Sequence, residues 1–270
     1  MKIFAIKSES GKNAKIPAYL IYYENTKTFY IELDENADEW ETPLILSSFL
    51  RKGEKTVDAY HSRIWVQQRI VPPDRQNLGQ ILKENGLDSY DEYELLMLSK
   101  GRCAQDDYYL SPVTPEKLPA ELSVRFSRRI EDVVPLKNNR LIVFFRNGEI
   151  KKCDVGSFIE KAGCKSVLEK YDVFRTVEIL TGGYGVSWGN VLTIPSEKLY
   201  GTGQIINLDA DDFVSFVSNR VISASQACEI LDCSRQNISD LIKRGKLNPI
   251  VSDGGNTLLL KNEIISRKWY

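Results

Sequence analysis

The chain has 270 residues and a formal net charge of −1, with a pI near 6.1, so no global positive field draws it toward nucleic acid and any such attraction has to come from a local patch. That length allows two or three domains, each with an adequate core. Five cysteines at 103, 153, 164, 228 and 233 show no Cys-x-x-Cys pair, and the N-terminus lacks the pattern of a signal peptide; together they point to reduced thiols and a cytoplasmic, bacterial protein with no membrane partner.

Residues 1–113 read as an α+β association region. Ala18 to Tyr23 and Thr28 to Leu33 form a hairpin around Glu24 to Lys27. Apolar residues at helical spacing continue over 43–50, 57–70, 78–85 and 90–99, with Pro72 and Pro73 interrupting and Gly86 and Gly101 standing just past helix ends. Arg69, Arg75 and Asp106 lie in segments dense in Arg, Gln and acids, which mark a solvated helical surface or, in the alternative, an enzyme site. The region bears a weak resemblance to small bacterial proteins encoded beside HipA-like kinases, which implies a toxin–antitoxin or phage-defence setting.

Leu110 to Pro119 contains Pro112, Pro115 and Pro119 and reads as a semi-rigid connector. A small β-rich domain is expected over 121–208. It opens with a three-stranded meander: 129–136, a turn at Lys137 to Asn139, 140–146, a turn at Asn147 and Gly148, and 149–154. A helix is expected over 155–162, and a strand over 174–180 is expected to pair with the stretch from Val186 through the glycines at 182, 183 and 185. Those glycines lack the Lys-Ser/Thr of a phosphate loop and read as a hairpin turn. Asn147, Gly148, Cys153, Asp154, Val155, Val186, Trp188, Asn190, Pro195, Leu199 and Tyr200 make this stretch similar to the bacterial domain of unknown function 2442, a resemblance that implies a fold and a regulatory or antitoxin-like association but no reaction.

Asp106 with Asp107, and Asp209 with Asp211 and Asp212, are the candidate acid clusters. The second group reads as the acidic first turn of a helix whose Phe213, Phe216 and Val217 pack the connector between the β-rich domain and the C-terminal segment. His61, the single histidine, excludes a His-based metal cluster. No cofactor, metal or catalytic residue is expected.

Residues 219–270 carry the most specific signal. Ser223 and Gln226 have the spacing of a capping box, and Ala227, Ile230 and Leu231 form one buried stripe. Asp232 and Cys233 leave room only for a tight turn before Ser234 caps a second helix. There Ile238, Leu241 and Ile242 share one face, while Arg235, Gln236, Ser239 and Lys243 share the other, flanked by Asn237 and Arg244. Gly245 ends the helix, Lys246 and Leu247 open a strand toward Val251, and residues 253–256 turn it back as a wing. This pattern resembles the winged helix-turn-helix of MerR-type regulators and phage excisionases. Cys228 and Cys233 depart from the small or aliphatic residues usual there, and the long dimerising helix of full-length MerR regulators is missing.

Arg and Lys suit guanine, Gln and Asn suit adenine, and recognition helices use their N-terminal residues on base edges. The expected DNA contacts are therefore Ser234, Arg235, Gln236, Asn237, Ser239, Lys243, Arg244 and Lys246, with double-stranded DNA as partner. From Val221 onward seven basic residues face five acidic ones, so a second copy or a protein partner, held through the N-terminal region, is expected to enlarge the contact. The reading is a sequence-specific transcriptional regulator; the alternative is an antitoxin-like protein that binds a toxin and represses its own operon.

Overall fold

The computed structural model describes residues 1–9, 16–40, 42–168, 170–204, 206, 210–253 and 256–269. The protein is α+β and divides into two compact units, Met1–Ser123 and Val124–Tyr270. The division falls ten residues beyond the expected boundary at 113, inside a helix, and the second unit takes in 219–270 together with the expected β-rich domain from residue 124 onward.

In the first unit, β1 (Lys2–Ser8), β2 (Ala18–Tyr23) and β3 (Thr28–Leu33) join two short edge strands, β4 (Thr56–Val57) and β5 (Tyr108–Pro112), in an antiparallel sheet of order β4-β3-β2-β1-β5. The β2–β3 hairpin has the expected bounds, with Lys27 in the left-handed region at φ 49°. All six residues of β2 are buried, so the strand is covered on both faces. Helices α1 (Leu44–Arg51), α2 (Ala59–Gln67), α3 (Leu78–Glu84) and α4 (Glu92–Leu98) come between the hairpin and β5. The connector expected from Leu110 instead begins as β5. Pro112 is tolerated because it ends an edge strand, opposite Phe4.

The second unit begins within α5 (Ala120–Ser127), a helix that the sequence pattern does not announce. Next comes the meander β6 (Ile130–Leu136), β7 (Arg140–Phe145) and β8 (Ile150–Asp154), whose first turn places Asn138 and Asn139 at φ 61° and 54°. Its two faces pack different elements. Leu141, Val143 and Phe145 join the core formed with α6 (Gly156–Lys161), α7 (Lys165–Leu168), α8 (Tyr171–Phe174), β10 (Gly185–Trp188), β11 (Leu192–Pro195) and α9 (Ser196–Thr202). Val134, Leu136, Ile142 and Phe144 face Ile206 and Phe216 of the next segment.

The strand expected over 174–180 shrinks to β9 (Glu178–Ile179), because Phe174 ends a helix. Its side chain is buried against Trp188, and its carbonyl accepts the indole N–H of Trp188 at 2.7 Å. Between β9 and β10 the glycines make the expected hairpin turn, with Gly182 at φ 73° and Gly183 at φ 78°. A Cβ on Gly183 would sit 2.2 Å from the Ile130 carbonyl oxygen.

The remaining elements are α10 (Ala210–Arg220), β12 (Val221–Ser223), α11 (Ala224–Leu231), α12 (Arg235–Lys243), β13 (Val251–Asp253), β14 (Asn256–Leu260) and α13 (Lys261–Ser266). Helix α10 lies on the second face of the meander, where Phe216 meets Phe144 with ring centroids 5.6 Å apart. Phe213 and Val217, expected to pack there, are exposed; only Phe216 turns inward. At the end of α10, Arg220 stacks 3.8 Å above the Phe144 ring and pairs with Asp132 at 2.8 Å, while α13 packs beside β6. These contacts join the C-terminal elements to the meander as one compact unit.

Gly183→Ala should destabilise the second unit by at least about 2 kcal/mol, because the new methyl meets backbone and the left-handed strain adds about 1 kcal/mol. Gly163→Ala, with open space around it, should cost only the strain, and equal urea midpoints for the two would refute the clash. Burial pushes the Asp132 carboxyl up to about 6, against the opposing pull of Arg220 and Lys261. The folded unit therefore holds a proton that the unfolded chain has released, and this group's contribution to stability falls as pH rises from about 4 to about 6. Asp132→Asn should flatten that segment of a stability–pH curve, and a curve of unchanged slope would contradict the assignment.

Candidate nucleic-acid interface

The helix-turn-helix is held by its caps. The Ser223 hydroxyl accepts the Gln226 N–H while the Gln226 side chain accepts the Ser223 N–H, satisfying donors that the first turn of α11 leaves open. At the other end Asp232 takes the left-handed conformation, φ 50° and ψ 52°, and the Cys233 N–H donates to the Cys228 carbonyl at 3.1 Å. This is the six-to-one bond of a Schellman stop, with an Asp where Gly is commonest. The chain then re-enters a helix directly, because the Ser234 hydroxyl accepts the Asn237 N–H at 3.2 Å.

Ile238 is 1% exposed and meets Ala227, Ile222, Leu247, Leu259 and Ile264 in a small core, with Ile230, Leu231, Leu241 and Ile242 packed around it. That inward seam orients α12. Ser234, Arg235, Gln236, Asn237, Ser239, Lys243, Arg244 and Lys246 are all exposed. Among the described residues, no hydrogen bond or ion pair engages the side chains of Gln236, Asn237, Ser239, Lys243, Arg244 or Lys246. Arg235 differs, since its guanidinium donates to the Ser225 hydroxyl on α11 at 2.5 Å. Lys243 and Arg244 also stand where a helix end favours cations, so part of their role is local.

Gly245, at φ 65°, ends α12 as expected. The strand expected from Lys246 starts only at Val251. Pro249 has no N–H to give to a ladder, and the backbone and side-chain amides of Asn248 both donate to Glu263 Oε1 instead. The wing is short: β13 pairs with β14, and β14 with β12, giving the order β12-β14-β13. Gly254 and Gly255 of the expected wing turn lie outside the described residues. Arg267 donates to the Lys246 carbonyl at 3.1 Å and so secures the segment between helix and wing.

The other candidate groups are engaged elsewhere. Arg69 is buried, stacks 3.8 Å from the Trp65 ring and pairs with Asp106, whereas Arg75 bonds Asn77 on the surface. A hollow of about 540 Å³ in the first unit is lined by Tyr22, Tyr60, Arg63, Tyr90, Asp91 and Tyr93, and by none of Arg69, Arg75 or Asp106. His61 hydrogen-bonds Asp58 at the start of α2. Asp107 accepts from Ser8, Asp211 pairs with Lys137 and Asp212 with Lys152, and Asp209 lies outside the described residues. Among the described residues, no three His, Cys, Asp or Glu side chains come together as a metal site, and no helix is long and apolar enough to cross a membrane.

No family model matches the chain, and no curated protein matches it. One solved structure, the crystal structure of a "Putative DNA Binding Protein" from Nitrosomonas europaea ATCC 19718, aligns at 23% identity over 45% of this chain and 79% of its own, with a TM-score of 0.26.

Removing the cap between the helices tests the geometry. Ser234→Ala should lower the stability of the second unit by about 1 kcal/mol, seen as a lower urea midpoint, and an unchanged midpoint would show that the hydroxyl does not hold the start of α12.

Proposed function

We propose that the protein is a sequence-specific DNA-binding regulator of transcription, with α12 as the recognition helix and the β13–β14 hairpin as the wing. The reading rests on the division of α12: Ile238 is sealed into a core, while Arg235, Gln236, Asn237 and Ser239 stand exposed at the end that enters a major groove. Six of the eight side chains have no intramolecular partner among the described residues, and they are of the types that read guanine and adenine edges. Arg235 exchanges a neutral hydroxyl for a base in this reading, and Ser225 holds its fork in place beforehand. The closeness to the MerR and excisionase pattern belongs to the same proposal, and so does its cytoplasmic setting.

A surplus of two positive charges over the last fifty residues gives feeble attraction to phosphate. A second copy, or a protein partner held by the first unit, supplies the remaining contact area. Catalysis forms no part of this reading.

The test is a fluorescence-anisotropy titration of the full chain against a duplex from upstream of its own gene and a scrambled duplex, across a salt series. The Arg235→Ala, Gln236→Ala variant should lose roughly 1 to 3 kcal/mol for each good base contact on the upstream duplex and little on the scrambled one. Equal binding to both duplexes, unchanged in the variant, would overturn the proposal.

A further inference from the structure

The turn that separates α11 from α12 is built on two cysteines. In a Schellman stop the residue that donates the six-to-one bond and the residue that accepts it also bring their side chains together, commonly as an apolar contact. Here those positions are Cys233 and Cys228, whose backbones are joined at 3.1 Å. Both thiols are free, and both are half-buried against the helix-turn-helix core. Burial first, and then the neighbouring Cys228 side chain, push the Cys233 thiol up. The other cysteines are placed differently: Cys153 and Cys164 are buried and donate to backbone carbonyls, and Cys103 donates to Asp106.

We infer that Cys228 and Cys233 are a reversible oxidation site, closed to a disulfide by a hydroperoxide, and that closure weakens DNA binding by α12. The regulatory half of this inference rests on the DNA-binding proposal; the chemical half does not. The thiolate of one cysteine attacks a peroxide oxygen, the O–O bond breaks, and the departing oxygen takes up a proton and leaves as water or alcohol, giving a sulfenic acid. The sulfur of the other cysteine then attacks that sulfur, the S–S bond forms, and the sulfenic oxygen leaves as water with the thiol proton. Two thiols lose two electrons and the hydroperoxide gains them. Closure fixes the two sulfurs about 2.0 Å apart. Cys233 directly precedes Ser234, so the displacement falls on the cap of α12 and on the end that carries Arg235, Gln236 and Asn237.

The experiment uses the full chain treated with hydrogen peroxide, alkylated and cut with trypsin, since one tryptic peptide, Val221 to Arg235, contains both cysteines. Both alkylation sites should disappear together and return with dithiothreitol, whereas Cys228→Ala and Cys233→Ala should each prevent the bridge. A peptide that stays doubly alkylated while Cys103 oxidises, or that acquires oxygen on each sulfur without a bridge, overturns the site. In parallel, oxidation should weaken binding to the upstream duplex about tenfold, the size of one lost base contact, and leave the Cys228→Ala, Cys233→Ala double variant unaffected. A bridge that forms without changing affinity overturns the regulatory half. If the reduced protein binds no duplex, the DNA-binding proposal fails on its own; the peptide map still decides the thiol site, and amide exchange over 234–243 that is identical in reduced and oxidised protein then removes the link to α12.

Discussion

The hydrogen bond from the Cys233 N–H to the Cys228 carbonyl, with Asp232 held left-handed beneath it, is the constraint on which the C-terminal architecture depends. It stops α11 after Leu231 and leaves only Asp232, Cys233 and the cap Ser234 before α12 begins. With so short a connection the two helices have little freedom to slide, and the apolar seam from Ala227 to Ile238 settles their remaining rotation. The face that α12 shows to solvent is then a consequence of the face it must bury. Eight polar residues stand outward because Ile238, Leu241 and Ile242 have been drawn in.

The same elements are anchored from behind. Helix α10 runs from the meander into β12, and its last residue, Arg220, lies flat on Phe144 while pairing with Asp132. A buried ion pair contributes little net stability, but removing one partner leaves a charge without its complement. Its main effect here is directional, since it fixes where α10 ends and hence where β12 and the helix-turn-helix begin. The head is therefore seated on the β-rich part of its own unit.

Legibility in the sequence tracks the locality of the forces. The capping box, the Ser234 cap, the Gly245 stop and the bounds of the 18–33 hairpin are written in neighbouring residues, and local hydrogen-bonding chemistry is enough to read them. Strand β5 is not legible because its partner β1 lies at the other end of the first unit's sequence, Phe4 opposite Pro112; β1 in turn is enclosed between β2 and β5, so most of its residues are buried and its pattern does not alternate. The β-branched and apolar residues around Phe174 suggest a strand, but burial against Trp188 and the indole bond to the Phe174 carbonyl favour a helical turn. Pairing of Asp132 with Arg220, 88 positions apart in the chain, leaves no local trace at all. Within the interface, residue types and helical period indicate the exposed face; the tie from Arg235 to Ser225 and the late start of β13 emerge only from the tertiary structure.

Selection of bound duplexes from a random-sequence pool, run with the wild-type chain and with Gln236→Ala, decides whether α12 reads base sequence. The wild type should enrich a defined motif, and the variant should enrich the same motif with preference relaxed at one base pair. A wild type that enriches no motif, or a motif that Gln236→Ala leaves intact along with Arg235→Ala and Asn237→Ala, would contradict the assignment of α12 as the reading helix.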